Sequence, residues 1–182
     1  MTVPESAPSR AERIRADDVA SGFRSGVHAL DDYFERHALP NDAAGVGRAY
    51  VLRRSPTESA ALPVVLGYYT LSMAVVAAAA VERTIGRKLP KYPMPVALVG
   101  RLAVDQRARG LRIGEALLLD ALRRAADASE VLGCTGVLVD AKDETAEGFY
   151  LCYGFVVVEA TAWPHRMFLP MATVLDVLRR RR

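Results

Sequence analysis

At 182 residues the chain can bury one sizeable core and is short for two domains of ordinary size. Hydrophobic residues make up 51% and charged residues 25%, which excludes a disordered or fibrous chain. The net charge is only +3, and lysine occurs at just Lys88, Lys91 and Lys142. That preference for arginine suits phosphate binding, but it follows equally from the base composition of a genome.

The first dozen residues, rich in Pro, Ser and Glu, predict a flexible lead-in over 1–12, with a single domain over 13–182. No apolar run resembling a secretory signal occurs in MTVPESAPSRAER, so a cytoplasmic protein is expected. HALDDYFERHAL (28–39) spaces Leu30, Phe34 and Ala38 or Leu39 as one face of a short helix. GRAYVLRR (47–54) and VVLGYYTLSMAVV (64–76), joined by a polar loop, predict a hairpin. The apolar run 64–81 is long enough to suggest a membrane span, but Gly67, Tyr68, Tyr69, Thr70 and Ser72 interrupt it, and its first half reads as a buried strand.

Residues 83–95 are too rich in proline and glycine for regular structure and predict a loop carrying Arg83, Arg87, Lys88 and Lys91. A strand through Val104 follows, then a turn, then a helix from about Arg112 to Ala128. Ile113, Leu117, Ala121 and Ala125 form its apolar face, and Asp120, Arg123, Arg124 and Asp127 its wet face. CTGVLVDA (134–141) reads as a strand. DETAEGFYLCYG reads as a short helix capped by Asp143 and stopped by Gly154. FVVVEA and MFLPM predict two more strands and TVLDVLRRRR a final helix. Hairpin strands followed by alternating strands and helices predict an α/β or α+β sandwich, a mixed central sheet flanked by helices. Cys134 and Cys152 read as buried, reduced thiols, and the three histidines share no ligand spacing with them, so no metal site is expected.

Arginines and glycines at a strand-to-helix junction, R109-G-L-R-I-G114, suit an anion, because the first turn of a helix leaves N–H groups unpaired at the positive end of its dipole. A solvated loop is the competing reading of the same residues. The run RLAVD, the turn from Arg109, the next helix and GFYLCYGF resemble the GCN5-related N-acetyltransferase (GNAT) superfamily. Its pyrophosphate signature is Gln or Arg, two residues, Gly, one residue, then Gly or Ala. Arg109, Arg112 and Gly114 occupy the three fixed positions, so Arg112 replaces the first glycine. GVHALDDYF, LGYYTLS, LPKYPMPVALVGRLAVD, DAKDETAEGFYLCYGF and PHRMFLPM, spread over 27–171, are similar to the TacT-type acetyltransferase toxins of bacterial toxin–antitoxin pairs.

That resemblance implies the GNAT fold and an enzyme moving the acetyl group of acetyl-CoA to the α-amino group of an aminoacyl-tRNA, which blocks translation. It further implies a ribbon-helix-helix antitoxin as partner and a homodimer. It places the pyrophosphate on the N–H groups of Arg109, Gly110, Leu111, Arg112, Ile113, Gly114 and Glu115, and the pantetheine arm on the main chain of Leu102, Ala103 and Val104. Tyr150 becomes the proton donor to the departing thiolate; on residue type alone it would read as core. Arg83, Arg87, Lys88 and Lys91 are the expected tRNA-binding cations, with Arg179 to Arg182 a second basic group. No histidine or carboxylate stands out as a general base. An α-amine titrates near pH 8, well below a lysine, so a water-mediated base suffices, and Asp105 or Glu82 remains open as a relay. Two rival readings are an acetyltransferase of a small amine or peptide N-terminus without toxicity, and a non-catalytic acyl-CoA or RNA binding module.

Overall fold

The computed structural model describes residues 10–181, so most of the expected lead-in and Arg182 lie outside the described residues. In chain order the elements are β1 (Glu12–Arg13), α1 (Ala16–Val19), α2 (His28–Asp32), a π-helical turn (Tyr33–His37), α3 (Ala38–Ala43), β2 (Arg48–Arg53), β3 (Val65–Val76), α4 (Ala78–Ile85) and β4 (Met94–Val104). A 3-10 turn (Gln106–Ala108), α5 (Ile113–Ser129), β5 (Gly136–Ala141), α6 (Glu144–Leu151), β6 (Val156–Glu159), β7 (His165–Pro170) and α7 (Met171–Arg180) complete it. The strands form a seven-stranded sheet in the order β1-β2-β3-β4-β5-β7-β6, mixed as the sequence pattern and the resemblance imply. Among the described residues two compact units are distinguished, 10–71 with 101–120 and 72–100 with 121–181.

In the first unit β2 and β3 form the predicted antiparallel hairpin, from Arg48↔Leu71 to Arg53↔Val65, with an irregularity at Leu52/Arg53. Successive β3 side chains point to opposite faces. Tyr68 enters a core with Ile14, Phe23, Tyr33, Phe34, Val51 and Ala103. Gly67 and Tyr69 face α5: a Cβ on Gly67 would lie 2.7 Å from the Ala103 carbonyl and 2.8 Å from Leu117 Cδ1, and the Tyr69 hydroxyl donates to Asp120 Oδ2 at 2.6 Å. Asp120 is therefore buried, not part of the wet face that its helical position predicts. Its donor lies 51 residues away, which helical periodicity cannot reveal. The expected helix over 28–39 continues to Ala43 and contains a π-type bond from the Ala38 N–H to the Tyr33 carbonyl. Pro40 has no N–H to offer the carbonyl of Arg36, which favours a widened turn there.

In the second unit β4 and β5 are parallel over Ala97↔Val137 to Val99↔Val139, and β7 pairs antiparallel with both β5 and β6. Its core is Val76, Val81, Met94, Val96, Leu138 and Phe168. The loop expected from residue 83 begins later: α4 runs to Ile85 and Gly86 ends it at φ 66°, so Arg83 is helical. The alanine run 77–80 has high helix propensity, but it continues the apolar strand without punctuation, and that hides the boundary. The thiols also depart from expectation, Cys134 being half-buried and Cys152 exposed just beyond α6. Among the described residues no helix is long and apolar enough to cross a membrane, and no group of His, Cys, Asp and Glu could hold a metal ion.

Candidate active site

The arginine and glycine junction is a backbone corner in the first unit. Arg109 is extended (φ −63°, ψ 149°), and Gly110 and Arg112 are left-handed, with φ 81° and 58°. Arg112 is the one non-glycine residue with positive φ among the described residues, so the position where the signature carries glycine keeps the glycine conformation. Its side chain does not enter the corner. The guanidinium is exposed and turns to Glu115, with Nε 2.6 Å from Oε2. The first turn bond of α5 runs from the Ala116 N–H to the Arg112 carbonyl at 3.1 Å. Among the described residues the N–H groups of Gly110, Leu111 and Arg112 donate to no acceptor, and those of Ile113 and Gly114 begin a helix that leaves them unpaired. Consecutive unsatisfied donors at the positive end of a 17-residue helix form a fitting cradle for a diphosphate.

The corner is fixed from below. Asp105 is fully buried and caps the 3-10 turn by accepting from the Arg107 N–H at 2.9 Å. It also accepts from the Arg24 N–H at 3.0 Å and from the Arg107 guanidinium at 2.9 and 2.8 Å. Burial works to raise its pKa, and the hydrogen bonds from Arg107 and Arg24 outweigh it, holding the carboxyl below the usual range. Asp105 is thus an ionised anchor, not a base poised to take up a proton. Arg109, expected at the phosphate, donates through Nη2 to the Ser25 carbonyl at 2.8 Å and ties the corner to the loop before α2. Of the strand residues expected along the cofactor arm, Ala103 is buried and Leu102 and Val104 are half-buried.

Tyr150 lies on α6 in the second unit. Asp143 caps that helix as expected, accepting the Ala146 N–H at 2.9 Å. Tyr150 packs on Phe149 and Phe155 with centroids 5.2 and 5.4 Å apart, so it shares the aromatic cluster that its residue type predicts. Its hydroxyl has no hydrogen-bond partner among the described residues. Burial, reinforced by the charge of Asp140, pushes its pKa up to about 12, so the phenol stays protonated at neutral pH. One turn earlier, Glu147 Oε2 lies 2.6 Å from His165 Nδ1, and the imidazole stacks on Trp163 at 3.6 Å. Sequence spacing gave no sign of this pair, because the two residues meet only through β7 and α6. Glu82, the other candidate relay, accepts the Leu89 N–H. The expected tRNA-binding cations Arg83, Arg87, Lys88 and Lys91 are all exposed, Arg83 on α4 and the others on the segment after it.

Comparison with known proteins identifies the family. Residues 63–157 match the acetyltransferase (GNAT) domain family. A tRNA-acetylating toxin of Mycobacterium tuberculosis is 38% identical over 152 residues, covering 84% of this chain and 85% of the relative. The solved structure of AtaT complexed with acetyl-methionyl-tRNAfMet superposes with a TM-score of 0.77 at 28% identity, covering 92% of this chain and 97% of that one. A tyrosine-to-phenylalanine variant of AtaT, bound to the C-terminus of the antitoxin AtaR and acetyl-CoA, gives 0.73 at 26% identity, covering 92% and 96%. Signature corner, sheet and relatives coincide, and the chain belongs to the GNAT acetyltransferase family as an acetyl-CoA-dependent N-acetyltransferase.

Proposed function

We propose that this enzyme acetylates the α-amino group of aminoacyl-tRNA and so acts as a translation-blocking toxin. The carrying observation is the match to a tRNA-acetylating toxin over 84% of the chain, which includes the diphosphate corner and Tyr150. The N–H groups of residues 110–114 hold the pyrophosphate, that of Arg109 being given to the Gln106 carbonyl, and the main chain of Leu102, Ala103 and Val104 aligns the pantetheine arm. One of those N–H groups stabilises the oxyanion formed when the amine attacks the thioester. In the transfer a C–N bond forms, the C–S bond breaks, the nitrogen loses a proton and the thiolate gains one. Tyr150 serves the thiolate. A phenol near 12 holds its proton until sulfur develops negative charge, so it acts as a hydrogen-bond donor first and an acid only as the bond breaks.

An α-amine is the fitting acceptor. Its pKa near 8 leaves a useful fraction neutral at physiological pH, and Asp105 and Glu82 are committed to structural bonds, so a water suffices to remove the proton. Arg83, Arg87, Lys88 and Lys91 contact tRNA phosphates in this reading. An antitoxin partner accompanies it, supported by a relative bound to its antitoxin; its ribbon-helix-helix type, a homodimer and a cytoplasmic location belong to the same reading through the family resemblance.

Incubating the protein with labelled acetyl-CoA and a pool of aminoacyl-tRNAs, followed by mass spectrometry, tests the reading. N-acetylated aminoacyl adenosine is expected. Acetylation of polyamines or peptides with none on aminoacyl-tRNA overturns it. Tyr150→Phe is expected to slow transfer by roughly 10²-fold or more while acetyl-CoA still binds.

A further inference from the structure

Arg101 sits on β4 directly before the strand residues assigned to the cofactor arm. Its guanidinium carbon lies 3.6 Å from the centroid of the Tyr33 ring. The residue is half-buried, and among the described residues its guanidinium has no carboxylate within 4.0 Å and donates no hydrogen bond. The acids next to Tyr33 in the chain and at the end of β4 are taken. Asp31 accepts from Ser25 and Gly26, Asp32 pairs with Arg36, and Asp105 is held by Arg107. A partly desolvated cation with five unused donors and a stacked aromatic ring is arranged for an anion that arrives from outside.

The face of the sheet says which anion. Residues alternating on β4 place Arg101 beside Ala103, in the core with Tyr33 and Tyr68. On β3, Tyr68 points to that side, and Gly67 and Tyr69 point to α5. The contact of Arg101 with the Tyr33 ring, in the same core as Tyr68, sets the side it occupies. The diphosphate corner begins α5, on the opposite face. Arg101 is therefore separated from the cofactor pyrophosphate by the sheet itself and faces the side from which an acceptor amine can approach a thioester lying along β4.

We infer that Arg101, oriented by Tyr33, binds a phosphodiester of the acceptor end of tRNA and positions the aminoacyl group for attack. The inference rests on the aminoacyl-tRNA reading. Planar guanidinium fits a phosphate through paired N–H bonds, and the tyrosine ring restricts its swing, so little freedom is lost on binding.

The test uses Arg101→Met, which keeps the aliphatic stem, and Arg101→Lys, which keeps the charge without the fork. For Arg101→Met the KM for aminoacyl-tRNA is expected to rise about tenfold or more, the scale of one charge-assisted contact. The slope of log KM against log salt should fall by about 0.7, one phosphate of a single strand. Arg101→Lys should retain the slope and still raise KM. Calorimetric affinity for acetyl-CoA and the unfolding temperature should match wild type in both. An unchanged KM and slope overturns the inference, as does a loss of acetyl-CoA affinity, which would assign Arg101 to a coenzyme phosphate. Wild-type protein that turns over acetyl-CoA with small amines but never with aminoacyl-tRNA fails the underlying reading, and is recognised before any variant is compared.

Discussion

Arg112 shows how a single residue can depart from a signature and keep its physics. The left-handed backbone costs an L-residue about 1 kcal/mol or more, and the exposed ion pair with Glu115 returns little. What the corner needs is the φ of 58° that frees the neighbouring N–H groups, whatever side chain it bears. Arg112→Gly is therefore expected to bind acetyl-CoA within about threefold of wild type and to unfold at nearly the same temperature, since relief of strain offsets glycine's extra entropy. Arg112→Val, β-branched at positive φ, should lose both stability and affinity. Calorimetry and thermal melts on the two variants decide it: equal affinity in both would show that the conformation at 112 does not govern binding.

At the scale of elements, the start of α5 is placed by what β3 lacks. Gly67 has no side chain where Ile113, Leu117 and the Ala103 carbonyl come close. A methyl group there meets backbone at 2.7 Å, which cannot swing aside like the end of a long side chain. Gly67→Ala is expected to cost about 1–3 kcal/mol of stability through overpacking. Because the helix that shifts is the one carrying the diphosphate donors, acetyl-CoA affinity should fall in the same variant. A loss of stability with undiminished affinity would show that α5 moves as a piece with its turn intact. Asp120 on the same helix makes the complementary point, since Tyr69 gives a polar residue a buried place that its own helix does not explain.

For the whole molecule, buried carboxylates set the response to acid. Asp42 accepts from Arg13 and from the Ala49 N–H. Burial acts to raise its pKa, but those bonds outweigh it, and Asp105 behaves alike. Both folded values lie below the ordinary 3.8, so their stabilisation is fully present above that pH and is lost as pH falls through the lowered values. Thermal unfolding should be insensitive to these groups from neutral pH down to about 5 and drop steeply below 4. Asp105→Asn should lose about 3 kcal/mol at pH 7, where it removes the charge that Arg107 and the N–H donors meet, and progressively less as pH falls below 3.8 through the lowered folded value. A deficit of constant size across that range would show that the charge of Asp105 contributes nothing.

Most elements were legible in the residues because local chemistry announces them: the β-branched and aromatic strands, the Asp143 cap, the glycine that ends α6. The resemblance, carried by short ordered motifs, added the cofactor corner and Tyr150. Local chemistry also has a limit, visible at α4, where an alanine helix follows an apolar strand with no break between them. By itself the sequence determined most of the strands and helices in order, the unpaired N–H groups at the head of α5 and the family, since each depends on residues that are neighbours in the chain. Only the tertiary structure decided that Asp105 is an anchor, that Asp120 is buried, that Glu147 meets His165 and that Arg101 lies unpaired over Tyr33. Each of those depends on which side chains the sheet brings together from distant positions, and a partner's distance in sequence leaves no local trace.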